Sequence, residues 1–143
     1  MRRGLDTDFL VQVEVSGHPR HAAARLRLDE LLDAGDALVL APQVLAEFIH
    51  VITDDRRFSQ PYPMDRAIER AESWWYGEEV EHVFPGQDAV RLFFDWVAAH
   101  RLGRKRLLDA MLGATYASNG VRSIVTTNAR DFAIFGCFEI VFT

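Results

Sequence analysis

Leu5-Asp6-Thr7-Asp8-Phe9-Leu10-Val11 is the stretch on which the reading of this chain turns. A short apolar lead ends on Asp6, and an apolar run able to form a helix follows at once. If the residues up to Leu5 form a first strand, Asp6 lands at its carboxyl end, where open α/β sheets collect their ligands. The simpler reading is a helix cap, since Asp and Thr ahead of an apolar run satisfy the free amides of a first turn. This stretch alone leaves both readings open.

Two further acids stand in apolar surroundings. Glu47 interrupts Val44-Leu45-Ala46-Glu47-Phe48-Ile49-His50-Val51-Ile52, and Asp109 interrupts Leu107-Leu108-Asp109-Ala110-Met111-Leu112. Both segments read as largely buried helices, because apolar residues run most of the way round them. A carboxylate there costs several kcal/mol unless it is paired or binds a metal. The bland alternative is a helix with one wet edge. A fourth element, Ser123-Ile124-Val125-Thr126-Thr127-Asn128-Ala129-Arg130-Asp131, is a short β-branched strand that breaks into a polar turn. Alone it is an Asx-turn at Asn128 and a cap at Asp131. Together the four stretches supply oxygen donors at two strand ends and on two helices, a set suited to a hard cation such as Mg²⁺ or Mn²⁺.

The ordered set Asp6-Thr7-Asp8, Glu47, Leu108-Asp109-Ala110 and Thr126-Thr127-Asn128-Ala129-Arg130-Asp131-Phe132 resembles the four motifs of PIN domains, most nearly the single-domain VapC-like toxins of bacterial toxin–antitoxin pairs. It departs from the family pattern at two places. The third residue of the first motif is often Asn and here is Asp8; the last acid of the fourth motif often follows the Thr-x pair directly, where this chain has Asn128. The resemblance implies an endoribonuclease, a cognate antitoxin that wraps the chain and covers its site, and a homodimer.

Composition is compatible with that picture. The 143 residues are 49% hydrophobic, enough for one domain spanning 1–143 with a substantial core. No uninterrupted apolar stretch is long enough to span a membrane, and no signal-peptide-like run precedes Asp6. A single cysteine, Cys137, and five histidines without a Cys/His ligand pattern leave no internal disulfide or structural zinc to expect, which suits a reducing cytoplasm. The net charge of −5 argues against indiscriminate polyanion binding. One local basic patch stands out: His100, Arg101, Arg104, Lys105 and Arg106, immediately before Asp109. Arg104, Lys105 and Arg106 are therefore candidates for RNA phosphate contact, with a solvated turn as the alternative.

Along the chain, helices are expected over Phe9–Val15, His21–Ala34 (Arg25 and Asp29 paired on its outside), from Pro42 through Glu47, and over Met64–Tyr76, Gly86–His100 and the Asp109 segment up to Asn119-Gly120. Strands are expected at Ala37–Leu40, Val80–Phe84, Ser123–Thr126 and Glu139–Phe142. Short strands alternating with helices predict a parallel sheet with helices on both faces. Trp74-Trp75-Tyr76 cannot all face one side of a helix, because successive residues are about 100° apart; at least one should be exposed or meet a partner.

The chemistry that follows is phosphodiester hydrolysis: Asp6, Glu47 and Asp109 bind metal, Asn128 and Asp131 complete the site or hold a second ion, and Thr126 orients a phosphate or a ligand. Three other readings compete. Asp6-x-Asp8 also occurs in haloacid-dehalogenase-like phosphatases, but no lysine follows Lys105 and Glu47 and Asp109 would be unexplained. A PIN-like module weak or inactive in catalysis, holding RNA or protein without cutting, differs from the enzyme only in metal-dependent cleavage. A purely structural role for the acids predicts no Mn²⁺ binding.

Overall fold

The computed structural model describes residues 1–142. Five parallel strands, β1 (Arg2–Leu5), β2 (Ala37–Leu40), β3 (Val80–His82), β4 (Ser123–Val125) and β5 (Glu139–Val141), form one sheet in the order β3-β2-β1-β4-β5. Between them lie α1 (Thr7–Glu14), α2 (His21–Asp33), α3 (Pro42–Ile52), α4 (Met64–Trp75), α5 (Gln87–Ala99), α6 (Leu107–Ser118) and α7 (Ala129–Ala133). The first three strands step outward in one direction, and β4 returns to the other side of β1. Right-handed crossovers therefore put the helices before β3 on one face and those after it on the other. The helix packing agrees: α1 meets α2 and α3, α3 meets α4, and on the other face α6 meets both α5 and α7.

This reversal of direction fixes where ligands go. Between β1 and β4 the loops leaving the two strands diverge to opposite faces, which opens a crevice at the carboxyl edge. The register Gly4↔Ile124 and Leu5↔Val125 brings Asp6 and Thr126 side by side just beyond that edge. The Asp6 amide still donates to the Val125 carbonyl at 3.1 Å, and the Thr126 amide to Val141 at 2.9 Å, so both residues are held by the sheet itself.

The core beneath is built around β1. Gly4 is small because α6 crosses it closely; a Cβ at Gly4 would sit 2.8 Å from a ring carbon of Tyr116. The Tyr116 hydroxyl, fully buried, lies 2.5 Å from the Leu5 carbonyl and 3.1 Å from that of Val39. Phe9, Phe48, Phe132 and Leu40 fill the space on either side of the sheet.

Several expectations shift in detail. Helix α1 starts at Thr7 with Asp6 as its cap, so the cap and strand-end readings of Asp6 both hold. The polar turn after β4 is a short helix, α7, with Asn128 rather than Asp131 in the cap position. The outer ion pair of α2 is Arg27–Glu30 at 3.0 Å, not Arg25–Asp29. In Trp74-Trp75-Tyr76, Trp74 is buried, Trp75 stacks on His82 with centroids 3.5 Å apart, and Tyr76 is 75% exposed. Among the described residues no helix is long and apolar enough to cross a membrane.

Candidate active site

Each candidate acid is delivered by a different element. Asp6 ends β1 and caps α1, its Oδ1 accepting the Thr7 amide at 2.8 Å, and only 5% of the residue is exposed. Glu47 sits midway along α3 and accepts from the Thr7 hydroxyl at 3.1 Å. Asp109 lies in the first turn of α6. All three line one cleft of about 990 Å³, together with Asp8 and Asn128.

Glu47 corrects the sequence reading. Helix α3 is not apolar all round: it buries Val44, Phe48, Val51 and Ile52 on one face and leaves Ala46, Glu47 and His50 exposed. Its wet edge is the cleft wall, so the carboxylate meets the site without being buried. Helix α6 does fit the buried description, with Ala110 and Leu112–Tyr116 enclosed and Asp109 half-buried.

The turn after β4 organises the first motif. Thr126 Oγ1 lies 2.8 Å from Asp6 Oδ2 and 3.3 Å from Asp8 Oδ2, and it accepts the Asn128 amide at 2.9 Å. One hydroxyl proton thus serves two carboxylates. Asp8 Oδ2 also accepts the Thr127 amide at 2.8 Å and a short bond from the Thr127 hydroxyl. Gln12, buried on α1, donates to that hydroxyl oxygen at 3.1 Å. Asp8, Thr7, Thr127 and Gln12 are parts of this framework that sequence reasoning left out of the site. The usable signal was a second acid two residues after Asp6 opposite two consecutive threonines. Asp8 Oδ1 is buried with no hydrogen-bond partner.

Asp131 and the basic turn occupy a different place. Arg104–Arg106 form a single 3-10 turn that leads into α6. Arg106 points inward: its Nε is 3.3 Å from Asp131 Oδ1, and its terminal nitrogen donates to the Asp131 carbonyl at 3.1 Å. Arg104 and Lys105 are exposed. Asp131 stands near enough to Asp109 for its charge to act on that carboxyl, and neither Asp131 nor the basic turn lines the cleft.

Crowding of like charges shows in the proton affinities. Burial, with the neighbouring charges of Asp8 and Asp109, raises the Asp6 carboxyl well above the usual range despite the bonds from Thr126 and Thr7. Asp109 is pushed up to about 6, first by burial and then by Asp131 and Glu47, with Arg106 opposing. No ion pair of Asp6, Asp8, Glu47 or Asp109 occurs among the described residues. The acids border one cleft without being gathered into a ready-made ligand cluster. An all-oxygen donor set, crowded anions outside any ion pair among the described residues and an orphaned buried carboxylate oxygen fit a hard divalent cation.

Comparison with known proteins places this geometry in context. The chain aligns over 97% of its length with VapC20 of Mycobacterium tuberculosis, a sarcin-ricin loop cleaving toxin, covering 98% of that chain at 20% identity and a TM-score of 0.72. It covers 97% of VapBC2 from Rickettsia felis, solved with a DNA fragment from its promoter, over 98% of its own length at 14% identity and a TM-score of 0.70. VapBC-1 of nontypeable Haemophilus influenzae matches at 19% identity and a TM-score of 0.67, over 98% of this chain and 96% of that one. Comparison with curated proteins by sequence gives no match. The PIN domain family matches residues 5–135, from the end of β1 through α7, and so takes in every acid described above. With the all-parallel sheet, the strand reversal and the acids at its carboxyl edge, that match shows that the chain belongs to the PIN domain family.

Proposed function

We propose that this protein is a metal-dependent endoribonuclease of the VapC toxin type, held inactive by a cognate antitoxin. The observation that carries the reading is the group Asp6, Asp8, Glu47 and Asp109, lining one cleft at the carboxyl edge of the sheet with none of them in an ion pair among the described residues. The structural neighbours support it, one being a sarcin-ricin loop cleaving toxin and others VapBC assemblies.

Asp6, Glu47 and Asp109 would hold Mg²⁺ or Mn²⁺, with Asp8 Oδ1 as a further oxygen donor facing no other partner. When bound, such an ion neutralises charge on a phosphoryl oxygen and makes water more acidic. Hydrolysis adds water oxygen to phosphorus, breaks one phosphorus–ribose oxygen bond and leaves a phosphate on one fragment and a hydroxyl on the other. The chain's own contribution is placement. Thr126 and the Thr7 amide fix both oxygens of Asp6, and Thr127 with Gln12 fixes Asp8. Asp131, clamped by Arg106, acts on the Asp109 carboxyl through its charge, while Asn128 stands at the cleft wall. Asp131 thus acts on the metal site through Asp109. Arg104 and Lys105 extend phosphate contact outside the cleft.

Phe94 on α5, Leu108 on α6 and Ile134 just after α7 are exposed and leave apolar surface that pairing of two chains would cover. A cytoplasmic site of action goes with the RNA substrate.

The test is incubation of the purified full chain with total cellular RNA in Mg²⁺, in Mn²⁺ and in chelator, beside Asp6→Asn. Discrete, end-mappable cuts that need the metal and vanish in the variant are expected. Cleavage that persists in chelator or in Asp6→Asn overturns the reading. A binding module without activity would bind the RNA and leave it intact in every lane.

A further inference from the structure

The cleft is larger than an ion and one phosphate need: about 990 Å³ lies at the top of the range for small-molecule sites, roughly 300–1,000 Å³. It also has a direction. Asp8, Val11 and Gln12 of α1 and Val15 at its C-cap line it in turn, a run of about 10 Å at ~1.5 Å per residue. Glu47 and Val51 line it along α3, which packs beside α1. The acids stand at the α1 N-terminus. At the other end the walls are two loops, Ser16–Pro19 and the segment from Arg57 to Tyr62, the latter docked by the Tyr62 hydroxyl on the Glu14 carbonyl at 3.0 Å.

The far end carries the opposite chemistry. Arg57 is the one Lys or Arg lining the cleft. Asp54, whose side chain is only 10% exposed, accepts the Arg56 amide at 2.9 Å and Arg57 Nε at 3.3 Å. That contact seats the guanidinium by its inner nitrogen and leaves the outer pair of amino groups without a hydrogen-bond partner among the described residues. An Arg edge with two parallel donors matches two oxygens of a phosphate. On the other loop that lines this cleft, His18 Nδ1 accepts the Arg20 amide at 3.0 Å, so the neutral tautomer carries its proton on Nε2, a further donor in the cleft wall.

We propose that Arg57, seated by Asp54, anchors a backbone phosphate of the RNA strand at the end of the cleft opposite the acids, with His18 as a further donor in the cleft wall. The inference rests on the nuclease reading and names the path of its substrate: along the trough between α1 and α3, toward the α3–α4 loop. Arg57 acts in binding and touches no reacting atom. Arg104–Arg106, the expected place of RNA contact, lie outside this trough.

The probe is a labelled single-stranded RNA of random sequence, bound by the full chain in Ca²⁺ at several monovalent salt concentrations. Three variants accompany wild type: Arg57→Ala, Arg57→Lys, and Arg66→Ala, which removes the same charge from α4 away from the cleft. Arg57→Ala should weaken binding about tenfold and lower the log–log salt slope by roughly 0.7, the loss of one single-strand phosphate contact. Arg57→Lys should keep the slope and regain only part of the affinity, because the charge returns without the fork. In Mg²⁺, Arg57→Ala should raise KM while kcat stays close to wild type. If Arg57→Ala matches Arg66→Ala in affinity and slope, the anchor is refuted and the nuclease reading stands. If wild type neither binds nor cuts the RNA, both fall.

Discussion

At the scale of single residues, Asp109 shows what an assembled but metal-free site costs. Its carboxyl is raised to about 6 from 3.8, so the folded state holds that proton more tightly than the unfolded chain does. The stabilisation from protonation is complete below about pH 4 and disappears as pH rises through 6. At neutral pH the charged carboxylate strains the fold, by about 1 kcal/mol once partial solvent screening is allowed for. Asp109→Asn keeps the shape and removes the charge. In chelator at pH 7 it should melt higher than wild type, with the gap closing below about pH 4, and it should gain less from added Mn²⁺. A variant less stable than wild type at pH 7 would assign Asp109 a structural hydrogen bond instead. Asp109 and Glu47 were legible because an acid inside an apolar helical pattern is anomalous. What pattern alone could not tell was which edge of α3 stays wet, and it overstated the burial of Glu47. Asp8 was harder to see, since an acid in a first helical turn has an ordinary explanation. Its partners lie 118 and 119 residues away.

Among elements, β1 does the most to position the site and tolerates the least change. Gly4 admits the Tyr116 ring, and Tyr116 in turn holds the carbonyl of Leu5, directly before Asp6. A Cβ at Gly4 would meet a stiff aromatic ring in a fully packed core, so Gly4→Ala should cost about 1–3 kcal/mol in urea unfolding. Tyr116→Phe should cost about 1 kcal/mol through the lost strand contacts. An unchanged midpoint for Gly4→Ala would mean that α6 shifts freely and does not fix Asp6. The basic turn before α6 is a softer element. Arg104→Ala combined with Lys105→Ala should flatten the salt dependence of RNA binding without lowering stability, since both side chains are exposed. A wild-type slope would leave them as a solvated turn. Strand and helix order was readable because periodicity and Gly/Pro punctuation agreed along the chain. Helix α7 was not: at five residues it is too short to show a helical period.

For the molecule as a whole, the sequence predicted a parallel sheet but could not reveal the strand order β3-β2-β1-β4-β5, and the order is what brings Asp6 to Thr126. The cleft's extent was likewise hidden, because the loops that carry His18 and Arg57 have no periodic signature and meet only through the packing of α1 on α3. The assembled charge distribution has a consequence no local motif contains. The chain carries a net −5, and carboxylates of Asp6, Asp8, Glu47 and Asp109 all face the cleft an RNA phosphate must enter. Without a cation these anions repel the strand; with one they draw it in. Metal and RNA should therefore bind with positive coupling, and the coupling must be reciprocal. At constant ionic strength, Ca²⁺ in place of chelator should tighten RNA binding by about tenfold, within the usual ~5–150-fold range of such couplings. RNA should tighten Ca²⁺ binding by the same factor. Asp6→Asn, with one anion fewer, should bind RNA better than wild type in chelator and gain less from Ca²⁺. Ca²⁺ that only weakens RNA binding, as added salt does by screening, would mean that the acids hold no ion facing the phosphate.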